Sequence, residues 1–233
     1  MRAVLFDLDG TLLPIDTEEF IKKYLELLSI KMADRIPPKI FIDKLLFATE
    51  KMVKNLEDKH NQEVFMDHFF EDILDNKEDI INRFNDFYQN DFKVLKSCAK
   101  NNPDAQDILE HLHNKNITLV LATNPIFPLT AITERLSWID VQDTYFDLIT
   151  SYEVMKYCKP HKNYYQQIVD LLKLNPNQCL MIGNDAQEDL VASEIGMETF
   201  LVEDYLIRND YSLYEPTYRG SFKDLKKFIL NSV

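Results

Sequence analysis

Long apolar runs are missing from this chain. None of its 233 residues falls in a stretch approaching the ~18 apolar residues that span a bilayer. The N-terminus passes from Met1-Arg2 through four apolar residues straight to Asp7, too short for the core of a signal peptide. Cysteine is scarce: Cys98, Cys158 and Cys179 are odd in number and far apart. They form neither a Cys-x-x-Cys pair nor a disulfide framework, so a reduced, cytoplasmic setting is expected. Positive charge is also in deficit. The 26 Lys and Arg stand against 39 Asp and Glu, a formal net charge of −13, which argues against a basic nucleic-acid binder or a polybasic membrane-surface protein. Glycine is scarce as well, with four against an average usage of about 7% of residues. A chain this poor in glycine keeps it where the backbone needs it.

What is present is globular. Hydrophobic residues make up 45% and charged residues 28%, too apolar for a disordered chain. At ~150 residues per domain the length suits one large domain or one and a half. Periodicity divides the chain. Residues 2–6 form a short apolar run, a buried strand that ends at Asp7-Leu8-Asp9-Gly10-Thr11. From about 17 to 98 the spacing is helical, in four sets: Phe20, Ile21, Tyr24, Leu25 and Leu28; Phe41, Leu45, Leu46, Met52 and Val53; Phe65, Phe69 and Ile73; Ile80, Ile81, Phe84, Phe87 and Tyr88. About four amphipathic helices follow one another, with no glycine between Gly10 and Gly183. Asn101-Asn102-Pro103-Asp104 breaks the pattern, with Pro103 suited to a first helical turn.

Beyond the break the pattern alternates. Helices at about 103–115, from near 128, at 161–173 and at 186–195 separate apolar runs at 117–122, 146–149, 179–182 and 199–202. Short apolar runs between helices predict a parallel sheet covered on both faces. The expectation is an α/β, Rossmann-like core with a five-stranded parallel sheet, made of residues 1–14 and 103–233. An all-helical unit, residues 15–102, is inserted after the first strand. No internal repeat or low-complexity tract is visible.

In open parallel sheets, ligands bind at the carboxyl ends of the strands, and polar, chemically capable residues fall at four such ends. Asp7 and Asp9 are two apart in an extended stretch, so both carboxylates can face one crevice. Carboxylates that close repel unless a cation separates them or one keeps its proton. A turn with Asp caps would look similar, but Asp-x-Asp-Gly-Thr arises by chance on the order of once in five hundred chains of this length. Thr123-Asn124 ends the run at 117–122, where a hydroxyl and backbone N–H groups near a helix start suit an anion and equally suit a helix cap. Lys159 is held extended by Pro160. Gly183-Asn184-Asp185-Ala186-Gln187-Glu188-Asp189 ends the run at 179–182, and taken alone it also fits an acidic helix start. Two of the four glycines, Gly10 and Gly183, lie in these turns.

Together the four motifs, in order, spacing and placement, resemble the haloacid dehalogenase superfamily of phosphohydrolases across the whole chain. The resemblance implies that Asp7 is the nucleophile that attacks phosphorus, giving an aspartyl-phosphate, and that Asp9 protonates the leaving group and then activates water. It implies that Thr123 and the backbone of Asn124 bind phosphate, and that Lys159 steadies both the nucleophile and the transferring phosphoryl group. The metal, Mg²⁺, would be held by Asp7, the Asp9 carbonyl and the 184–185 pair, with Gly10, Thr11 and Asp189 in support. Residues 15–102 would be the cap that closes over the substrate. One departure stands out: the family has an acidic residue directly after the glycine of the last motif, where this chain has Asn184 followed by Asp185, and either could be the direct ligand.

The chemistry fits those residue types. Hydrolysis of phosphate monoesters calls for acceleration of up to ~10²¹, and a carboxylate nucleophile divides the displacement into two easier steps. The implied function is Mg²⁺-dependent hydrolysis of a small phosphorylated metabolite. A sugar-phosphate mutase would use the same motifs, and a phosphonate hydrolase would need a Schiff-base lysine in the inserted helices. A true dehalogenase lacks the second aspartate, so Asp9 counts against it. A non-catalytic binding module would be expected to have lost Asp7 or Lys159. Other residues are less informative. His111 and His113 sit on different helix faces and cannot chelate together, and His60 and His68 read as surface. Phe65, Phe69, Phe84 and Phe87 read as helix-packing core. Tyr157, Cys158 and Arg135 are not singled out by spacing. Substrate identity and oligomeric state are not legible at this level.

Overall fold

The apolar runs become the strands of one sheet. In the computed structural model, which describes residues 1–73, 75–208 and 213–232, these are β1 (Ala3–Phe6), β2 (Thr118–Leu121), β3 (Leu148–Ile149), β4 (Cys179–Gly183), β5 (Glu198–Val202) and β6 (Tyr218–Gly220). They stand in the order β3-β2-β1-β4-β5-β6, and every pairing is parallel. The side chains of β1 alternate between two cores. Val4 and Phe6 join one, and Ala3 and Leu5 join the other with Tyr164, Tyr165 and Ile168, as the two-residue period of a strand requires. Both faces are thus covered, which is why the run is continuously apolar.

Among the described residues the sheet has six strands where five are expected. The sixth, Tyr-Arg-Gly, pairs Phe200 with Tyr218 and Val202 with Gly220, but it is three residues long and not fully buried, so it leaves no apolar run to read. The expected strand at 146–149 shrinks to Leu148–Ile149 at the opposite edge. Short edge strands limit unwanted pairing with other chains.

The helices on the sheet are α5 (Pro103–Asn114), α6 (Leu129–Ser137), α7 (Lys162–Leu172) and α8 (Phe222–Ser232), with Pro103 opening the first as expected. The helix expected at 186–195 does not form as such. A turn leads to a 3₁₀ segment, Leu190–Ile195, closed by Gly196 at φ +95°. The cause is local: the Asp185 Oδ1 accepts from the N–H groups of Gln187 and Glu188, and Asp189 Oδ2 accepts from the N–H of Asp185. These side-chain acceptors hold the backbone in a turn rather than a helix.

Between β1 and α5 lie the four expected helices, α1 (Thr17–Met32), α2 (Pro38–Val53), α3 (Asn61–Phe69) and α4 (Lys77–Asp86). The fourth passes into a π turn at Phe87–Asp91, which takes in Phe87 and Tyr88, and then a 3₁₀ segment at Phe92–Cys98. Asp16 caps the first helix by accepting from the N–H of Glu19. Phe20, Phe41, Phe69, Phe87 and Phe92 are completely or almost completely buried, each worth roughly 1.5–3 kcal/mol of burial. The aromatic rows are packing, as their spacing predicts. The ends of this segment meet: Ile15 bridges Ala99 in antiparallel fashion, and the N–H of Lys100 donates to the Pro14 carbonyl. Asn102 Nδ2 donates to the Leu12 carbonyl at 2.8 Å. Among the described residues, no helix is long and apolar enough to cross a membrane.

Candidate active site

Strand β1 is flanked by β2 on one side and β4 on the other, so the strand order runs outward from it in both directions. Ligands sit at such a point, beyond the carboxyl ends. There the structure opens a chamber of about 280 Å³ walled by Asp7, Asp9, Thr123, Asn124, Asn184, Asp185, Glu188 and Asp189. The first helix of the inserted segment contributes Thr17, Phe20 and Ile21 to the same wall. Three of the four sequence motifs therefore meet on one cavity.

The fourth, Lys159, lies behind it. Its ammonium is buried between two carboxylates, 2.9 Å from Asp7 Oδ1 and 2.6 Å from Asp189 Oδ1. Burial works against its charge, but Asp189 and then Asp7 hold the ammonium well above its ordinary range. Burial raises the Asp7 carboxyl to about 7, with Lys159 pulling it down and Asp189 pushing it further up. Lys159 thus orients one Asp7 oxygen and leaves the other, Oδ2, toward Thr11.

Two glycines make this packing possible. Gly10 has φ +81°, and a Cβ there would lie 2.3 Å from Asn184 Nδ2; a Cβ on Gly183 would lie 2.0 Å from Asp189 Oδ2. Asn184 and Asp189, in the motif that follows β4, occupy the space that side chains at these glycines would fill. The Thr11 hydroxyl sits 2.9 Å from Asn184 Oδ1 and 3.4 Å from Asp7 Oδ2, and it donates to one of them at a time. Asn184 Nδ2 donates to the Tyr205 carbonyl at 2.7 Å, which fixes the amide with its oxygen toward Thr11. Asp185 has a different task, since its Oδ1 already holds the turn.

Thr123 is positioned through its carbonyl, which accepts from the Thr150 hydroxyl at 2.8 Å and the Tyr164 hydroxyl at 2.9 Å. Asn124 turns its amide to Glu188, with Nδ2 3.1 Å from both carboxylate oxygens. Burial raises the Glu188 carboxyl to about 7. In the sequence reading Glu188 is only one acid of the 184–189 cluster, with no role of its own, and Thr150 and Tyr164 have no place there.

Arg135 is the larger omission. It is completely buried in α6, its Nη1 donates to Asp9 Oδ2, and its guanidinium lies 4.7 Å from the Phe127 ring centroid and 5.8 Å from that of Phe20. The signal was available. Ala131, Ile132, Arg135 and Leu136 form the buried stripe of α6, and a charge on a buried stripe is more informative than one in solvent.

The charges in and directly behind the chamber are unbalanced. Asp7, Asp9, Asp185, Glu188 and Asp189 face two cationic side chains, Lys159 and Arg135. Asp9 Oδ1 and Asn124 Oδ1 are buried with no hydrogen-bond partner among the described residues. Oxygen-rich walls with unpaired acceptors suit a hard cation. Among the described residues no three His, Cys, Asp or Glu side chains are grouped to hold a metal by themselves. The donors present are carboxylate, amide and main-chain oxygens, a set that suits Mg²⁺ because it keeps several of its waters.

Comparison with known proteins matches residues 1–194 to the haloacid dehalogenase-like hydrolase family. The chain belongs to that family. It is 25% identical over 222 residues to the pyrophosphatase PpaX of Oceanobacillus iheyensis, covering 95% of this chain and 89% of that protein. It is 24% identical over 198 residues to a phosphorylated carbohydrates phosphatase of Thermotoga maritima, covering 85% and 83%. Among solved structures, a haloacid dehalogenase-family phosphatase from Thermococcus onnurineus superposes with a TM-score of 0.60 at 21% identity, over 99% of this chain and 98% of that one. This haloacid dehalogenase-like hydrolase thus shares its fold with phosphatases along nearly its whole length.

Proposed function

We propose that the chain is a Mg²⁺-dependent phosphatase that hydrolyses a small phosphorylated metabolite through an aspartyl-phosphate on Asp7. The observation that carries the reading is the pairing of Asp7 with buried Lys159 at the end of β1, with Asp9 walling the same chamber. Lys159 holds Asp7 Oδ1, so Oδ2 is the oxygen presented for attack on phosphorus. The ester oxygen leaves with a proton from Asp9, and Asp9 then takes a proton from the water that cleaves the acyl phosphate. The Thr123 hydroxyl and the backbone N–H at Asn124 receive the phosphoryl oxygens, as donors set in advance for developing charge. Arg135 keeps the Asp9 carboxylate aimed into the chamber. Asp7, the Asp9 carbonyl and Asn184 would hold the metal, which when bound neutralises charge between Asp7 and the incoming phosphate.

Residues 15–102 serve in this reading as a cap, hinged where Pro14–Ile15 meets Ala99–Lys100. A closing cap expels water before transfer. The relatives named as phosphatases support phosphate esters as the substrate class. Phosphate release from a panel of phosphorylated metabolites, with Mg²⁺ and with a chelator, tests the proposal. Activity that needs the metal is expected, and a panel with no turnover at all contradicts it.

Two further outcomes follow from the same site. Asn184, whose oxygen meets the Thr11 hydroxyl on the wall it shares with Asp7, is the ligand, while Asp185 is committed to its turn. Asn184→Ala should raise the Mg²⁺ concentration for half-maximal activity by about tenfold or more, by the scale of disturbed metal sites. Asp185→Ala should lower stability with a smaller change in metal requirement. The reverse ranking in a Mg²⁺ titration would exchange their roles.

The second outcome concerns pH. Asp7 and Glu188 are both raised to about 7 in the folded protein, from ordinary values of 3.8 and 4.5. Between those limits the folded state binds more protons than the unfolded state, so metal-free stability falls as pH rises. Melting in chelator should therefore occur roughly 10 °C lower at pH ~8 than at pH ~5.5. Added Mg²⁺ should narrow the gap, because metal favours ionised carboxylates. A metal-free Tm that rises across this window would contradict the assignment.

A further inference from the structure

A second cavity of about 130 Å³ adjoins the acidic chamber, and Ile21, Ile126 and Phe127 belong to the walls of both. Its other walls come mainly from the four inserted helices, including Leu25, Leu45, Phe65 and Phe84, and none of its wall residues carries a charge. Its few polar atoms are already engaged. The Tyr24 and Tyr88 hydroxyls are 2.7 Å apart and bond each other, and the Thr49 hydroxyl donates to the Leu45 carbonyl at 2.8 Å. The wall thus offers few groups to the hydroxyls of a sugar and no positive charge to the oxygens of a second phosphate.

The size is informative. An apolar protein cavity of about 150 Å³ stays dry and binds benzene. Resting on the phosphatase reading, we infer that the chain acts on the phosphate monoester of a compact apolar alcohol, with an aryl or branched-alkyl group of about six carbons. The phosphate occupies the acidic chamber, and the organic group passes the shared wall into the apolar cavity. Ester and water give free alcohol and inorganic phosphate. A sugar phosphate would bury most of its hydroxyls there with few partners, and a diphosphate would bury charge against an uncharged wall; both are disfavoured. The substrate class thus differs from those named for the pyrophosphatase and the carbohydrate phosphatase to which the chain is similar.

The test compares kcat/KM for benzyl phosphate, glycerol phosphate, a hexose phosphate and pyrophosphate at saturating Mg²⁺. Benzyl phosphate should be preferred by about 100-fold or more, the scale on which a pocket discriminates by mismatched groups. Thr49→Phe, which fills the cavity from its wall, should lower the benzyl-to-glycerol ratio by about tenfold or more. Benzyl alcohol binding to the wild-type protein, followed by NMR, provides a readout that needs neither turnover nor the variant. Binding should be saturable and should perturb Phe65 and Phe84. Preferential hydrolysis of the hexose phosphate, or no binding of benzyl alcohol, overturns the inference and leaves the phosphatase reading standing. Failure to hydrolyse any ester overturns the phosphatase reading, and the substrate assignment falls with it.

Discussion

Asp7→Asn should reduce phosphate release by on the order of 10⁴-fold or more, the scale on which loss of a nucleophile is felt. An amide oxygen is a poor nucleophile, and no neighbour can replace it. The Asp9 carboxylate is held by Arg135 for acid–base work, and Asp189 is held by Lys159. The fold should survive, because Lys159 keeps its 2.6 Å contact to Asp189 and the amide retains an oxygen to accept from the ammonium. Circular dichroism and thermal melting establish that the variant is folded before its rate is read. A folded Asp7→Asn protein within tenfold of wild type would remove Asp7 from the reaction.

Lys159→Met should damage both activity and stability. The substitution leaves Asp7 and Asp189 facing one another in a buried site without their shared cation. Breaking a buried ion pair by removing one partner costs about 3–5 kcal/mol, or roughly 10 °C of Tm for a chain of this size. Two partners are stranded here, which places the effect toward the upper end. Adding Asp189→Asn neutralises one of them and should recover about half of the lost Tm, while activity stays low because Asp7 is no longer oriented. That split separates the structural part of the lysine from its part in the reaction. Wild-type Tm and activity in the single variant would show that the pair matters for neither.

Asp7 is exposed by the sequence for a physical reason, and so is Asn184. Asp7 and Asn184 each follow directly on a fully apolar run, and a buried strand has to end in something polar. Gly10 and Gly183 are readable because so few glycines compete for attention, and each stands where a Cβ would collide with a motif side chain. The buried strands β1, β2, β4 and β5 are legible for the same reason, since both their faces are covered.

What was not legible depends on contacts between distant segments. Arg135 meets Asp9 across 126 positions of sequence, and helical spacing shows only that it lies on the buried stripe. Glu188 reads as one acid among several until the fold brings Asn124 against it. The sixth strand is too short and too exposed to leave a pattern, and the 3₁₀ segment at Leu190–Ile195 is decided by side-chain bonds from Asp185 and Asp189 that propensity does not record. The inserted helices announce their aromatic rows clearly. Which of those rings line a cavity beside the acidic chamber emerges only when four helices are packed together.

The most direct measurement traps the intermediate. Wild-type protein mixed with a radiolabelled phosphate monoester and Mg²⁺, quenched in acid within a turnover and digested, should yield label on the peptide that contains Asp7. Asp9→Asn should increase that labelling for an ester whose alcohol leaves without a proton, because the water that breaks the acyl phosphate has lost its base. Phosphate release under the same conditions with no labelled peptide, in wild type and Asp9→Asn alike, would contradict an aspartyl-phosphate on Asp7.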